Sequence, residues 1–233
     1  GSLFEQFPDQ ISAVILEPMN TAFPQKGFLE GVRDVAHAKG AVLVFDEIVN
    51  GFRLAKGGAQ EYFGVVPDLT ALGKALGNGY PISALAGRKE IMRLLEDVFF
   101  SFTFGGETLS LAAARAVLEK IESQPVIATL HRQGEKVLAG TRQLIQIHGM
   151  EDLLGLRGHP VWSFLVMRDV YPYTQWEIQT LFFQEVFDRG ILTIGTHNMS
   201  FAHTDEDVER LLKVYDEVFP ILKKAVEEKT LIE

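Results

Sequence analysis

The 233-residue sequence has no cysteine, which excludes a disulfide framework, thiol chemistry and thiolate metal sites. Positive charge is also scarce: 22 basic against 31 acidic residues leave a formal charge of −9. The basic residues are scattered, whereas phosphate-backbone binding needs them clustered, so nucleic acid is not an expected ligand. No apolar run approaches the roughly 20 residues of a membrane helix, and no charged-then-apolar signal opens the chain. No membrane partner is expected, and the cytoplasm is the default setting. The six histidines show no HExxH-like pairing, so no catalytic metal is expected.

What is present is an alternation of apolar strands and amphipathic helices. "ISAVILEP" (11–18) is an apolar run closed by Glu17 and Pro18, consistent with a fully buried strand of a parallel sheet. "GFLEGVRDVAHAKG" carries Phe28, Leu29, Val32, Val35 and Ala36 at helical spacing, with Gly40 where a C-terminal cap would sit. "AVLVFD" (41–46) is the next buried strand, so the three segments read as a βαβ unit of a mostly parallel, helix-covered sheet. "ISALAG" (82–87) reads as a further strand, and "FFSFTF" as an aromatic extended segment, fit for a buried or interfacial strand, that passes through Gly105 and Gly106 into a helix rich in alanine. From about Gln124 the pattern changes: a helix from Val126 to about Ile147, strands near "VWSFLVM" and "ILTIG", and helices at 174–189 and 205–228 capped by Thr204 to Asp207. A larger α/β domain over 1–124 and a small α+β domain over 125–233 are expected.

Lys74 stands in "ALGKALGNG" among small and apolar residues, where an amine can serve as a nucleophile toward a carbonyl. Taken alone, such a lysine is more often a snorkelling surface residue. Asp46 shifts the balance, because a carboxylate at the C-terminal end of a parallel strand lies on the edge where α/β proteins place ligands. Its plainer reading is a cap for the following loop. It precedes Lys74 by 28 residues, with a helix-sized segment between, so the two can share one sheet edge. A cofactor that bonds to a lysine and needs a carboxylate against its ring nitrogen is pyridoxal 5'-phosphate.

"ILEP", "VFDEIVNGFR", "PDLTALGKALGNGYPISALAG" and "TFGGETLSLAAA" occur in the order, and near the spacing, of the class III aminotransferases. The chain resembles the C-terminal portion of that family, nearest to the glutamate-1-semialdehyde 2,1-aminomutase branch through "MSFAHTDEDVERLL". The resemblance implies the pyridoxal-phosphate transferase fold type I, like aspartate aminotransferase, with part of the large domain and the small C-terminal domain. It implies that Lys74 forms the internal aldimine and moves the proton, that Asp46 salt-bridges the pyridinium nitrogen, and that Ile48 packs on the ring. Thr103 matches the threonine that reaches the phosphate of the neighbouring subunit, and Glu17 and Glu47 resemble acids that orient an arginine or cofactor oxygens from behind. Amino-group transfer between small-molecule amine and carbonyl substrates follows, in a homodimer with its site at the subunit interface. The aminomutase reaction is the near alternative, and a non-catalytic remnant of the fold is the distant one.

Each residue has a plainer role beside the implied one. The plainer role of Glu17 is to end a strand, and that of Thr103 is a hydroxyl in an aromatic core; Arg53 is open between a surface charge and a carboxylate partner; His203 reads as structural beside the helix cap. The sequence also departs from the family. The half-domain with the phosphate loop and the ring-stacking aromatic, expected ahead of "ILEP", is not among these residues. Glu107 and Thr108 stand where many members have Asn-Pro, and "ILTIGTHNMSFAH" lacks the arginine many use for a substrate α-carboxylate.

Overall fold

The structure, a computed structural model, describes residues 2–231. It divides into two compact units, the first ending at Ile127 and the second beginning at Ala128.

The first unit opens with a short helix, α1 (Ser2–Gln6), and is built on a four-stranded sheet in the order β1 (Ala13–Leu16), β2 (Val42–Asp46), β3 (Leu69–Leu72), β4 (Ala84–Gly87). β1, β2 and β3 run parallel, and β4 is antiparallel to β3. Helix α2 (Phe28–Ala38) links the first two strands, and α3 (Gly58–Phe63) the next two. The α2 stripe lies over β2: Leu29, Leu43, Phe45 and Val65 form a buried cluster, flanked by Val14, Leu16, Val32 and Phe63. α2 stops at Gly40, whose φ of +70° only a glycine adopts freely and whose N–H donates to the His37 carbonyl at 3.0 Å.

Two expectations fail here. β1 is an edge strand buried on one face only, with Ile15 66% exposed, because an apolar run does not reveal whether one or both faces are covered. The aromatic run is not a strand: residues 99–102 are irregular, a turn follows at 103–106, and Phe99 is 96% exposed. Beyond β4, α4 (Lys89–Met92) runs into a 3-10 turn, and α5 (Thr108–Ser123) is capped by Glu107, which accepts from the Leu109 and Ser110 amides at 2.6 and 2.8 Å.

The second unit contains all but the first two residues of α6 (Val126–Ile147), then β5 (Leu154–His159), β6 (Trp162–Met167), α7 (Gln175–Asp188), β7 (Thr196–Asn198) and α8 (Asp205–Glu227). Its antiparallel sheet, β5-β6-β7, packs with helices around a cluster that includes Phe182, Tyr215, Phe219 and Leu222. α7 and α8 each begin in a capping box, Thr174 with Glu177 and Thr204 with Asp207. "ILTIG" is not a strand either. The pairing with β6 falls to Thr196–Asn198, and Leu192 and Ile194 are exposed. No helix among the described residues is long and apolar enough to cross a membrane.

Candidate active site

Parallel pairing fixes the relation between the two residues on which the sequence reading turns. Asp46 is the last residue of β2 and pairs in register with Ala71 of β3, which ends one residue later and hands the chain to Gly73 and Lys74. Asp46 and Lys74 therefore emerge from neighbouring strands at the same sheet edge. The Asp46 carboxylate is half-buried; its Oδ1 accepts from the Ile48 amide at 3.0 Å, and its Oδ2 meets no hydrogen-bond donor among the described residues. The Ile48 side chain lies over Gly73, where an added Cβ would stand 3.4 Å from Ile48 Cγ2. The structure thus brings Asp46, Ile48 and Lys74 together. The apolar neighbours of Lys74 do not bury it: Gly73, Leu76 and Gly77 turn inward and the lysine is exposed. Its backbone sits at φ +40°, unusual for a residue with a Cβ, and α5 packs beside the Lys74–Leu76 3-10 turn.

Glu17 follows the end of β1, one residue past the Leu16–Phe45 pair, so it lies on the same edge. It is exposed and accepts from Asn20 Nδ2 at 3.0 Å. Thr103 stands in the exposed turn ahead of α5 and shares no strand or helix with the other candidates. His203 stands beside the α8 cap, its Nδ1 accepting from the Ser200 amide at 3.2 Å. Arg53 is largely withdrawn from water, and burial pushes its guanidinium below the usual range.

Glu47 is fully buried, and the chain's own donors engage its carboxylate: the Ala59 amide on one oxygen, the Gln60 amide at 3.1 Å and Gln60 Nε2 at 3.2 Å on the other. Gln60 Nε2 also lies 3.2 Å from Thr70 Oγ1, so Glu47 ties the start of α3 to β2 and β3. Burial raises the Glu47 carboxyl above its ordinary range, against the opposing pull of those hydrogen bonds. Gly58, at φ +77°, leaves the space that Glu47 fills. The sequence pattern assigns Gln60 and Thr70 no role; an acid followed by the Gly57–Gly58 doublet is the one signal it offers. Asn50 also escapes the pattern. Its Nδ2 donates to the Met19 carbonyl at 2.6 Å and so joins the loops that follow β1 and β2.

A parallel sheet whose adjacent strands end in a carboxylate and a lysine, with an aliphatic side chain between, has the design of a fold type I pyridoxal-phosphate transferase. The chain belongs to the class III aminotransferase family, whose profile matches residues 1–202. It is 33% identical over 237 aligned positions to glutamate-1-semialdehyde 2,1-aminomutase 2 of Bacillus pumilus (strain SAFR-032), covering 95% of this chain and 55% of that one. Among solved structures it superposes with a TM-score of 0.88 on the FumI protein of Sphingopyxis sp. MTA144 in its PLP internal aldimine form, at 29% identity and over 96% of this chain and 55% of that one. An omega-transaminase from Sphaerobacter thermophilus shares the fold, with a TM-score of 0.84 at 22% identity over 95% and 55% of the two chains. The chain spans about half the length of these relatives.

The cofactor of the family, pyridoxal phosphate, fits the residues present. An exposed primary amine suits its aldehyde, a carboxylate with one open oxygen suits its protonated ring nitrogen, and Ile48 supplies an apolar surface beside both.

Proposed function

We propose that this chain supplies the lysine and aspartate of a pyridoxal-phosphate-dependent aminotransferase that moves an amino group between an amine or amino-acid donor and a carbonyl acceptor. The observation that carries this reading is the shared sheet edge, where an exposed Lys74 follows β3 and Asp46, with Oδ2 open, ends β2. When bound, the cofactor supplies an aldehyde that condenses with amines and a ring that accepts electrons. Lys74 Nζ would hold that aldehyde and, once displaced by the donor amine, would move a proton between the substrate carbon and the cofactor. Asp46 keeps a proton on the ring nitrogen through a charge-assisted hydrogen bond. Ile48 backs one ring face, Thr103 serves the phosphate of a neighbouring subunit, and Glu17 and Glu47 support the edge from behind.

In this reading residues 1–124 belong to a large cofactor domain and 125–233 to a small domain. The working form is a homodimer with its site at the subunit interface; the exposed Phe99, Phe100, Phe102 and Phe104, close in sequence to Thr103, support it. The absence of arginine from 191–203 favours an amine or aldehyde substrate without an α-carboxylate, or a carboxylate bound elsewhere in the site. An aminomutase, which returns the amino group to the same molecule, is the second reading, favoured by the Bacillus pumilus relative.

Titration of the chain with pyridoxal phosphate tests the proposal. A band at roughly 410–430 nm should appear with wild type, weaken in Asp46→Asn and vanish in Lys74→Ala. Its absence from the intact, full-length protein, with the half-domain that precedes "ILEP" in the family, overturns the reading. Product analysis separates the two reactions, since only the aminomutase yields an isomer without an external acceptor.

A further inference from the structure

Lys74 occupies a backbone conformation that its side chain disfavours, and the turn around it shows what holds it there. After Gly73 the chain enters the 3-10 turn Lys74–Leu76 with Lys74 at φ +40° and then places Asn78 at φ +46°. The Lys74 carbonyl accepts from two amides, Asn78 at 3.0 Å and Gly77 at 3.3 Å. The chain then doubles back: the Tyr80 amide donates to the Gly77 carbonyl at 3.2 Å, and the Ile82 amide to the Tyr80 carbonyl at 3.0 Å. The Leu72–Ala84 pair of β3 and β4 closes the base of this loop.

Gly77 sits at the crossing. Its own φ of −99° suits any residue, so conformational freedom is not why glycine stands here. The reason is space: a Cβ at Gly77 would lie 2.5 Å from the Tyr80 carbonyl oxygen and 2.6 Å from Ile82 Cγ2. The first of these is backbone and cannot rotate away.

We infer that Gly77 and Asn78 are positioning residues for Lys74: the close crossing at Gly77 and the left-handed Asn78 hold Lys74 in its strained conformation and so aim its amine. The role assigned to them acts through the Lys74 backbone and needs no contact with substrate or cofactor. The inference rests on the reading of Lys74 as the cofactor lysine. Left-handed backbone at a residue with a Cβ persists only where the surroundings enforce it, and two amides on one carbonyl with an obligatory glycine beneath provide that enforcement. Glycine tolerates the Asn78 conformation without cost, asparagine tolerates it well, and alanine does so poorly.

The test is the rate at which pyridoxal phosphate becomes fixed to Lys74 under borohydride in the full chain, read by peptide mass mapping, together with deuterium uptake over residues 73–82. Gly77→Ala should slow fixation about tenfold or more, in keeping with the sensitivity of such reactions to small misplacements. Asn78→Ala, an exposed change that leaves the packed core intact, should slow it by a smaller factor. Asn78→Gly should restore it to within about twofold of wild type, and deuterium uptake should rise in the two alanine variants. Gly31→Ala, on α2 with open space around it, is the control. If Gly77→Ala does not fold, the Asn78 pair decides the question. Equal rates in Asn78→Ala, Asn78→Gly and wild type overturn the inference while leaving Lys74 as the cofactor lysine. No fixation on Lys74 in wild type overturns the functional reading itself.

Discussion

The two units invest differently in their interiors. The second closes fifteen buried residues, among them Phe182, Tyr215 and Phe219, into one cluster and holds a buried polar chain inside it: Ser163 Oγ to His197 Nδ1 at 2.9 Å and His197 Nε2 to Tyr215 OH at 2.9 Å. Among the described residues the first has a smaller cluster, Leu29, Leu43, Phe45 and Val65, with further buried residues such as Met19, Leu54 and Leu76 outside it, and leaves Ile15 and several phenylalanines in the open. Yet the first carries Lys74 and Asp46, while the second carries none of the residues assigned to the cofactor. In this chain the candidate chemistry sits on the unit with the thinner core, held by local devices: the Lys74 turn, the Glu47 clamp and the ion pairs of Asp68. Both tryptophans, Trp162 and Trp176, lie in the second unit, so tryptophan fluorescence reports on that unit alone.

The contrast can be broken most forcefully from the second unit. Phe182→Ala empties a site in contact with the Tyr215 ring at 5.6 Å and should cost about 3–5 kcal/mol, seen as an early tryptophan transition in urea. Acid should act next. Burial pushes His197 down to about 4 from an ordinary 6.5, so the unfolded chain takes the proton first. Stability is full above pH 6.5 and falls as pH drops toward 4, by roughly 3 kcal/mol in total. Replacing His197 with glutamine should remove its share of that dependence in fluorescence-monitored melts, leaving the share of His159, which burial also pushes down to about 4.

In the first unit the expected effects are smaller. Asp68 accepts from His37 Nε2 and the Leu43 amide, both at 2.8 Å, and from Arg88 Nη1 at 3.0 Å. Burial alone would raise this carboxyl, but the bonds from Leu43, Arg88 and His37 outweigh it and hold it below its ordinary range. Its contribution is present above the ordinary aspartate pKa and is lost as pH falls through the depressed one. Asp68→Asn should cost about 1–2 kcal/mol, discounted because Arg88 and His37 are both partly exposed, and should speed hydrogen exchange at the Leu43 amide. The smallest effect is expected from Glu47→Gln, about 1 kcal/mol, because glutamine keeps one acceptor for α3 and the loss of a buried charge offsets the amide nitrogen it turns toward a donor. The wild-type carboxyl is raised, so its contribution is present at low pH and is lost as pH rises through the raised value. The variant should not show that loss in chemical denaturation across the same range.

The amino-acid sequence discloses most where local chemistry decides. Helix α6 runs over Val126–Ile147 as its periodicity predicts, and Thr204 with Asp207 forms the cap at α8. The β2 strand ends on Asp46, so the apolar run that stops there is enough to put its carboxylate on a sheet edge. Less is legible where burial depends on what else is nearby. "ISAVILEP" and "FFSFTF" are apolar enough for strands buried on both sides, yet composition cannot say which faces are covered. "ILTIG" alternates correctly, but the place beside β6 goes to Thr196–Asn198, where Ser163 pairs with His197. The exposure of Lys74 is hidden for a related reason: its small neighbours turn inward through a 3-10 turn that a helical or extended reading does not contain. The Glu47 clamp spans twelve residues to Ala59 and shows itself only through Gly58.

The most direct measurement offers pyridoxal phosphate to the intact chain, fixes it with borohydride and locates it by peptide mass mapping. Modification concentrated on Lys74, and lost from the chain in Lys74→Ala, is the expected result. Modification spread over the surface lysines in proportion to their exposure, with Lys74 no more reactive than the rest, would contradict the assignment of the β2–β3 edge as a cofactor site.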